Sequence, residues 1–465
     1  MEKITLGQLV QAVNGTLLGN FRDLDRQFVC VDTDSRTIHP DALFIPFIGE
    51  HFDGHAYINS ALDGGAAGCL TIRERETYRD DKFYVKVHNT ERALRDLAVW
   101  YRSQFHIPFI GVTGSVGKTT AKDMIAAVLG ARYRVLKTEG NYNNNVGLPL
   151  TLLRLSPEHE ICVLEMGMDR PGEIDYLAEA VKPDVGVITN IGDAHIERLG
   201  SRENIFKAKC EMLPHIKPDG LLVLNGDDAM LATLRGKAPV KTAFCGAGEG
   251  EMDYRAAVTG GDGSSYISCL MKTPSMEETV DVPALGEHMI YPTLFAAAIG
   301  EHFGLSREEI RLGITQFVPT RMRMNILRRD KGITILDDTY NANPQSVRAA
   351  INVLAASPST RKVAVLGDML ELGPFAPALH EGIGECLGQN NIPCLVAVGP
   401  MSGHTAKAAR EAGVPEVYHF DRREDAEQVL SQVLREDCTV LVKASRGMRL
   451  EQLTQKLVEL TEEQK

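Results

Sequence analysis

Unbroken apolar runs, rather than strict alternation, mark the strands of this chain. Phe109-Ile110-Gly111-Val112, Ile161-Cys162-Val163-Leu164, Val185-Gly186-Val187-Ile188 and Leu221-Leu222-Val223-Leu224 are apolar on both faces, as strands are when helices cover a parallel sheet from both sides. They predict strands at 109–113, 161–165, 185–189 and 221–224. Helical periodicity follows at 118–129, 172–181 and 201–213, so the alternation reads as an open parallel α/β sheet. Ile333 to Leu336, Val363 to Leu366, Leu395 to Val398 and Val440 to Val442 repeat the pattern and predict a second, Rossmann-like doubly wound unit. Before about residue 87 the chain is Gly- and Asp-rich with short β-like pieces such as Leu43-Phe44-Ile45, a small α/β unit. Thr90-Glu91 then opens an amphipathic helix on Leu94, Leu97, Ala98 and Tyr101. Residues 250–283 break the alternation with polar short strands, an excursion at a sheet edge. The fold class expected is α/β in three domains, 1–87, 88–317 and 318–465.

Composition narrows the function classes. Lys+Arg 50 against Asp+Glu 62 leaves a net charge of −12, and such a surface repels phosphate backbones, so no nucleic-acid partner is expected. An anionic ligand would need a locally positive site. The 9 cysteines form no C-x-x-C pair and several sit in apolar runs, as reduced thiols do in the cytoplasm. The start, MEKITLGQLVQAVNG, lacks the pattern of a signal peptide, and no apolar run reaches the ~20 residues of a membrane span. A cytoplasmic chain without integral membrane contact is expected.

The sharpest chemical signal is Thr113-Gly114-Ser115-Val116-Gly117-Lys118-Thr119-Thr120, between a strand and a helix. Glycines let backbone N–H groups turn toward phosphate oxygens, and the helix N-terminus adds partial positive charge. Lys118 would reach the β- and γ-phosphates, and the Thr119 hydroxyl would meet Mg²⁺. The strict phosphate-loop spacing fails by one residue, because Val112 rather than Gly stands five before Gly117. Glu165 ends one predicted strand and His195 follows another, so both face the crevice at the carboxyl ends of the strands. Either is an exposed polar group or a metal ligand.

Lys209 falls on the apolar stripe Ile205, Ala208, Met212, Leu213, whereas Lys207 faces water and can pair with Glu211. A lysine on a buried face snorkels, pairs or changes its chemistry; desolvation frees its neutral amine to react, for instance with CO₂ to give a carbamate. Asn141 to Gly147 is rich in amides, and Asp337-Asp338-Thr339-Tyr340-Asn341-Ala342-Asn343-Pro344 joins a strand to a helix. Both are nucleotide-site candidates or Asx turns. His51-x-x-x-His55 has zinc-like spacing, but Asp53 and Gly54 favour a loop, and no zinc site is expected.

Together these motifs resemble the Mur ligase family of peptidoglycan precursor synthesis, over nearly the whole chain. The loop Thr113 to Thr120 is similar to that family's TGSxGKTT, which accounts for the shifted glycine. Glu165-Met166-Gly167, Thr189-Asn190-Ile191, Ala194-His195, Tyr340 to Pro344, Gly367 to Gly373 and Val442 to Arg446 follow in the family's order, the later ones nearest to its D-alanyl-D-alanine-using branch. The resemblance implies an ADP-forming, ATP-dependent amide ligase joining D-alanyl-D-alanine to UDP-N-acetylmuramoyl-tripeptide through an acyl phosphate. It implies a monomer with ATP and Mg²⁺, the metal held by Thr119, Glu165 and His195, and carbon dioxide carried as a carbamate on Lys209. Lys118, Glu165, His195 and Lys209 would be catalytic. Arg321, Tyr340 and Asn341 would join the phosphate loop around ATP. Ser35, Arg36, Asp53, Gly54, His55 and Asn144 would bind the uridine-nucleotide substrate, and Lys443, Ser445 and Arg446 the dipeptide region. Met289 and Pro292 stand where many relatives carry asparagines. A sister amide ligase, or a phosphate-loop protein that uses nucleotide only as a switch, are the alternatives.

Overall fold

Apolar runs become buried strands, and their period of two splits each between two cores. In the computed structural model, which describes residues 1–248 and 250–462, the amino-terminal region holds β1 (Ile4–Thr5), β2 (Thr16–Leu18), β3 (Gln27–Phe28), β4 (Cys30–Asp32), β5 (Ala42–Phe44), β6 (Gly68–Thr71) and β7 (Phe83–Lys86). β1 and β3 pair as a short ribbon, and the rest form a sheet in the order β2-β7-β6-β5-β4.

The central sheet contains β8 (Phe109–Thr113), β9 (Val135–Lys137), β10 (Ile161–Glu165), β11 (Val185–Ile188), β12 (Leu221–Asn225), β13 (Lys241–Gly246), β14 (Tyr254–Gly261), β15 (Ile267–Lys272) and β16 (Glu277–Val282). Its order is β16-β15-β14-β13-β12-β11-β8-β10-β9. Pairing is parallel from β9 to β14 and antiparallel at β14-β15-β16, the edge excursion expected between 250 and 283. β8 has the later strands β10 and β11 on its two sides, so the strand order reverses there, and a ligand crevice opens at such a point.

The third sheet is formed by β17 (Asn325–Arg328), β18 (Thr334–Asp338), β19 (Arg361–Gly367), β20 (Cys394–Val398), β21 (Glu416–Phe420) and β22 (Cys438–Lys443), in the order β17-β18-β22-β19-β20-β21. All its pairs are parallel except β17-β18.

On one face of the central sheet, Phe109, Cys162 and Leu164 pack with Ala93, Leu94, Leu97 and Tyr101 of the helix Thr90–Arg102. That helix thereby joins the amino-terminal core to the central one. On the other face, Ile110, Val112, Ile161 and Val163 pack against the helices Lys118–Leu129 and Ile290–His302. In the third sheet, Ala364 and Leu366 face one core and Val363 and Val365 the other. Each fully buried Leu, Ile or Val contributes about 1.5–3 kcal/mol of apolar transfer, so two such layers hold helices on both faces of each sheet.

In the two larger sheets, four strands escaped the periodicity. β9 is only three residues long, β13 begins with the exposed Lys241, β17 is a half-buried antiparallel edge, and β21 mixes charge with partial burial along its length. The helix expected over 201–213 runs Arg202–Cys210 and then tightens to a 3₁₀ turn at Leu213–His215, where Pro214 interrupts it. Lys207 is exposed as expected, but its expected partner is elsewhere. The Glu211 carboxylate accepts the Gly172 N–H (2.9 Å) and the Asp175 N–H (3.3 Å) and so satisfies the start of the helix Glu173–Val181.

Candidate functional site

After β8 the chain turns sharply and enters the helix Lys118–Leu129. Gly114 has φ +147° and Gly117 φ +81°, and a Cβ on Gly114 would lie 1.9 Å from Thr189 Oγ1, so a side chain is excluded there. No side chain caps the helix at Gly117, which leaves its first N–H groups for a ligand. The end of β11 clamps the loop: Val116 N–H donates to Asn190 Oδ1 (2.9 Å), and Thr189 Oγ1 (2.6 Å) and Asn190 Nδ2 (2.9 Å) donate to the Val116 carbonyl. Lys118 curls over the loop with its Nζ 2.9 Å from the Gly114 carbonyl.

Glu165, at the carboxyl end of β10, is 2 % exposed. Its Oε2 accepts the Thr119 hydroxyl at 2.9 Å, and its Oε1 accepts Asn143 Nδ2 at 2.8 Å. Among the described residues no lysine, arginine or histidine forms an ion pair with it. A buried carboxylate beside a hydroxyl, short of cationic partners, is a hard-oxygen donor set that fits Mg²⁺. Burial pushes the Lys118 ammonium below its ordinary range and the nearby Glu165 carboxylate works against that shift.

These groups line a cavity of about 1080 Å³ with walls from both large sheets. The central sheet supplies Ser115 to Thr120, Asn143 to Asn145, Glu165 and His195; the third supplies Tyr340, Asn341, Glu371, Lys443, Ser445 and Arg446. Thr113 and Gly114 lie beneath the loop, outside the lining, and the Thr113 hydroxyl is buried without a hydrogen-bond partner among the described residues. Lys209 is also below the lining, 2 % exposed, with no hydrogen-bond or ion-pair partner among the described residues. Burial, and then the charge of Lys118, push its ammonium well below the ordinary lysine range. The stripe argument therefore located a lysine that the fold buries.

The two motifs divide between turn or cap bonds and positions at the cavity. Asn144 closes an Asx turn onto Gly147 N–H (2.8 Å), whereas its neighbour Asn143 holds Glu165. Asn343 caps the helix Pro344–Ala356, whereas Tyr340 and Asn341 face the cavity.

Other expected residues stand apart from the cavity. Arg321 is exposed and does not line it; Arg323, two residues on, does. The Arg323 guanidinium stacks 4.0 Å from the Tyr340 ring centroid and places Nη2 3.4 Å from Thr119 Oγ1. Sequence alone could not choose between two arginines two positions apart in a linker without periodicity. Ser35 and Arg36 lie in a loop of the amino-terminal region, where Arg36 forks onto Asp34 and holds its carboxyl down near 2. Asp53 caps the turn Gly54–Tyr57 and lies 2.7 Å from His55 Nδ1, while His55 Nε2 accepts the Ile72 N–H. Both imidazole nitrogens of His55 are thus engaged, consistent with a loop rather than a zinc site.

Three acidic residues near the cavity had no role of their own in the sequence reading. Asp338, at the end of β18, accepts Lys443 Nζ at 2.6 Å. Asp228, after β12, accepts the Ile191 N–H at 2.7 Å. Glu371 Oε2 lies 2.7 Å from His195 Nδ1, and the imidazole holds that carboxyl below its ordinary range. His195 and Glu371 both adopt positive φ, +61° and +62°, an unusual backbone for residues with side chains. The strand-end argument that found Glu165 applies equally to Asp338 and Asp228; Glu371 lies within the Gly367–Gly373 motif, but nothing local shows that it reaches His195.

Patterns characteristic of known families match this chain along most of its length. The Mur ligase middle domain matches residues 112–300, the "Mur ligase, glutamate ligase domain" residues 322–446, and the Mur ligase family catalytic domain residues 27–102. The UDP-N-acetylmuramoyl-tripeptide–D-alanyl-D-alanine ligase of Bacillus subtilis (strain 168) is 37% identical over 462 residues, 99% of each chain. The crystal structure of MurF from Acinetobacter baumannii superposes with a TM-score of 0.88 at 31% identity, covering 98% of this chain and 99% of that one. MurF from Thermotoga maritima, solved in complex with ADP, superposes with a TM-score of 0.83 at 28% identity over 94% and 98%.

Proposed function

The chain belongs to the Mur ligase family, and from that membership we infer its reaction: an ATP-dependent ligase adds D-alanyl-D-alanine to UDP-N-acetylmuramoyl-tripeptide and releases ADP and phosphate. The observation that carries the site assignment is the buried Glu165 carboxylate, bonded to Thr119 at the mouth of the phosphate loop and lacking an ion-pair partner among the described residues.

The peptide carboxylate must meet the γ-phosphate, and two anions approach only where cations sit between them. In our reading Lys118 and the free N–H groups at the start of its helix bind the β- and γ-phosphates. Arg323, spread on Tyr340, bears on the phosphates from the third sheet. Thr119 and Glu165 would hold Mg²⁺ and His195 a second ion, and the ions would supply charge neutralisation when bound. Attack of the tripeptide carboxylate oxygen on the γ-phosphorus forms an acyl phosphate and expels ADP. The dipeptide amine then adds to the acyl carbon; its proton leaves, and phosphate departs as the amide forms.

Lys209 is assigned the role of a carbamate. Its neutral amine bonds to the carbon of CO₂ and releases a proton, which leaves a buried anion where the charge of Lys118 is felt. Its partnerless burial and depressed basicity support this assignment. Ser35, Arg36, Asp53, Gly54, His55 and Asn144 are proposed for the uridine-nucleotide end, and Lys443, Ser445 and Arg446 for the dipeptide end. Residues 1–87, 88–317 and 318–465 are proposed as the three domains, the last closing on the central one.

ADP release measured with the UDP-tripeptide and D-alanyl-D-alanine together, and with each omitted, tests the reaction. Release only with both is expected. Turnover indifferent to the dipeptide would overturn the reading.

A further inference from the structure

The chain crosses from the central sheet to the third through residues 317–325, and a buried charge cluster holds this crossing. Asp123 lies on the buried side of the helix that begins at the phosphate loop and is 3 % exposed. Its Oδ1 accepts Lys137 Nζ at 2.6 Å and lies 3.0 Å from Lys122 Nζ. Lys122 also donates to the Thr138 carbonyl (2.7 Å), and the Thr138 hydroxyl accepts the Glu165 N–H (3.0 Å). Two ammonium groups thus lie against Oδ1, and the remaining carboxylate oxygen, Oδ2, accepts the Thr320 hydroxyl. A charge-assisted bond of that kind is stronger than a neutral one.

From Thr320 the chain makes a tight turn. Arg323 N–H and Asn325 Nδ2 both donate to the Thr320 carbonyl at 3.1 Å, and Met322 N–H donates to Asn325 Oδ1. Met322 and Met324 have φ of +63° and +54°, a backbone that residues bearing a Cβ adopt only when their surroundings hold them. Further on, Met324 N–H donates to Asp338 Oδ1 (3.2 Å) and Tyr340 N–H to the Met322 carbonyl (3.2 Å). The outcome of these constraints is the placement of the Arg323 guanidinium on Tyr340 and beside Thr119.

We propose that Asp123 and Thr320 form a latch between the phosphate-loop helix and the crossing, and that this latch aims Arg323 at the phosphates. Both are positioning residues that act through Arg323. The proposal rests on the reaction inferred above. It assigns work to a cluster that otherwise only neutralises itself: the helix that binds phosphate also fixes where the third sheet's arginine enters. A turn released at Thr320 leaves Arg323 free to swing off Tyr340, and displacements of about 1 Å at a reacting centre cost up to ~100-fold in rate.

The test is a double-mutant cycle on ADP release by the full-length enzyme. Thr320→Val removes the hydroxyl and keeps the shape; kcat is expected to fall about tenfold while the KM for D-alanyl-D-alanine moves less than about twofold. Thr320→Ser keeps the hydroxyl and is expected to retain kcat. Arg323→Ala is expected to lower kcat further, and adding Thr320→Val to it to cost nothing more, because nothing is left to aim. Asp123→Asn should follow Thr320→Val; should it not fold because Lys122 loses its charge partner, the Thr320 and Arg323 variants still decide. Losses that simply add, full kcat in Thr320→Val, or full kcat in Arg323→Ala would each overturn the latch. Release that ignores the dipeptide would instead count against the reaction, since the cycle can be read on ADP release either way.

Discussion

The central and third sheets follow one plan, parallel strands with helices on both faces, and each region buries a lysine close to the shared cavity. Their circumstances are opposite. Lys443, ending β22, donates to Asp338 Oδ2 at 2.6 Å and to the Asn341 carbonyl at 2.9 Å. Burial lowers its basicity while the Asp338 charge opposes that shift. Among the described residues the Lys209 side chain has neither a carboxylate nor a carbonyl partner, and the largest charge effect on it is the like charge of Lys118. A buried cation with a partner holds two strand ends together. One without a partner is tolerated only as a neutral amine or after its charge is inverted, so it points to chemistry.

The largest test of this contrast is on the nucleotide side. Lys118→Ala is expected to lower turnover by about a thousandfold or more, since it removes the fixed positive charge at the phosphates. Unchanged ATP turnover would mean that the nucleotide sits elsewhere. Lys209→Ala is expected to cost about a hundredfold or more in kcat and to regain part of it with added short carboxylates, which replace the carbamate's charge. An alanine variant with full activity would remove the carbamate.

Stability should move the other way. Lys443→Met leaves Asp338 buried without its cation and is expected to cost about 3–5 kcal/mol in denaturant unfolding. Lys209→Met strands no partner and is expected to be neutral or stabilising. Equal losses from both would erase the distinction between them.

The pH dependence sharpens it further. Because folding depresses the Lys209 pKa, the folded state binds fewer protons than the unfolded one between the depressed value and the ordinary lysine value. Wild-type stability relative to Lys209→Met should therefore rise with pH through that interval, measured in CO₂-free buffer. The smallest effect concerns His380, buried in the third region, where Met369 N–H donates to its Nε2 at 3.0 Å and burial depresses its basicity. Its contribution is fully present above the unfolded value of about 6.5 and is lost as pH falls below it. His380→Gln should flatten that acid limb, and an unaltered limb would assign it to other groups.

Much of the scaffold was legible because local patterns carry it. Two-sided apolar runs located β8, β10, β11, β12, β19 and β20, and strand-end position singled out Glu165 and His195 as facing the crevice. Short or edge strands such as β9 and β21 bury too little to leave a run. Glu211 escaped because its reach to Gly172 is a contact between helices, invisible to spacing within one. Arg323 and Arg321 differ only in which way a turn with two left-handed residues directs them.

What the chain determined by itself was therefore the sequence of strands and helices, the glycine turn at 114–117 and the buried side of the helix bearing Lys209. Each of these is set by sterics or periodicity within a few residues. What folding in three dimensions decided was pairing: Glu165 with Thr119, Lys443 with Asp338 across 105 positions, Asp123 with Thr320, Glu371 beside His195. Electrostatics and hydrogen bonds act through space over a few ångströms, and no local period records which distant side chain will arrive there.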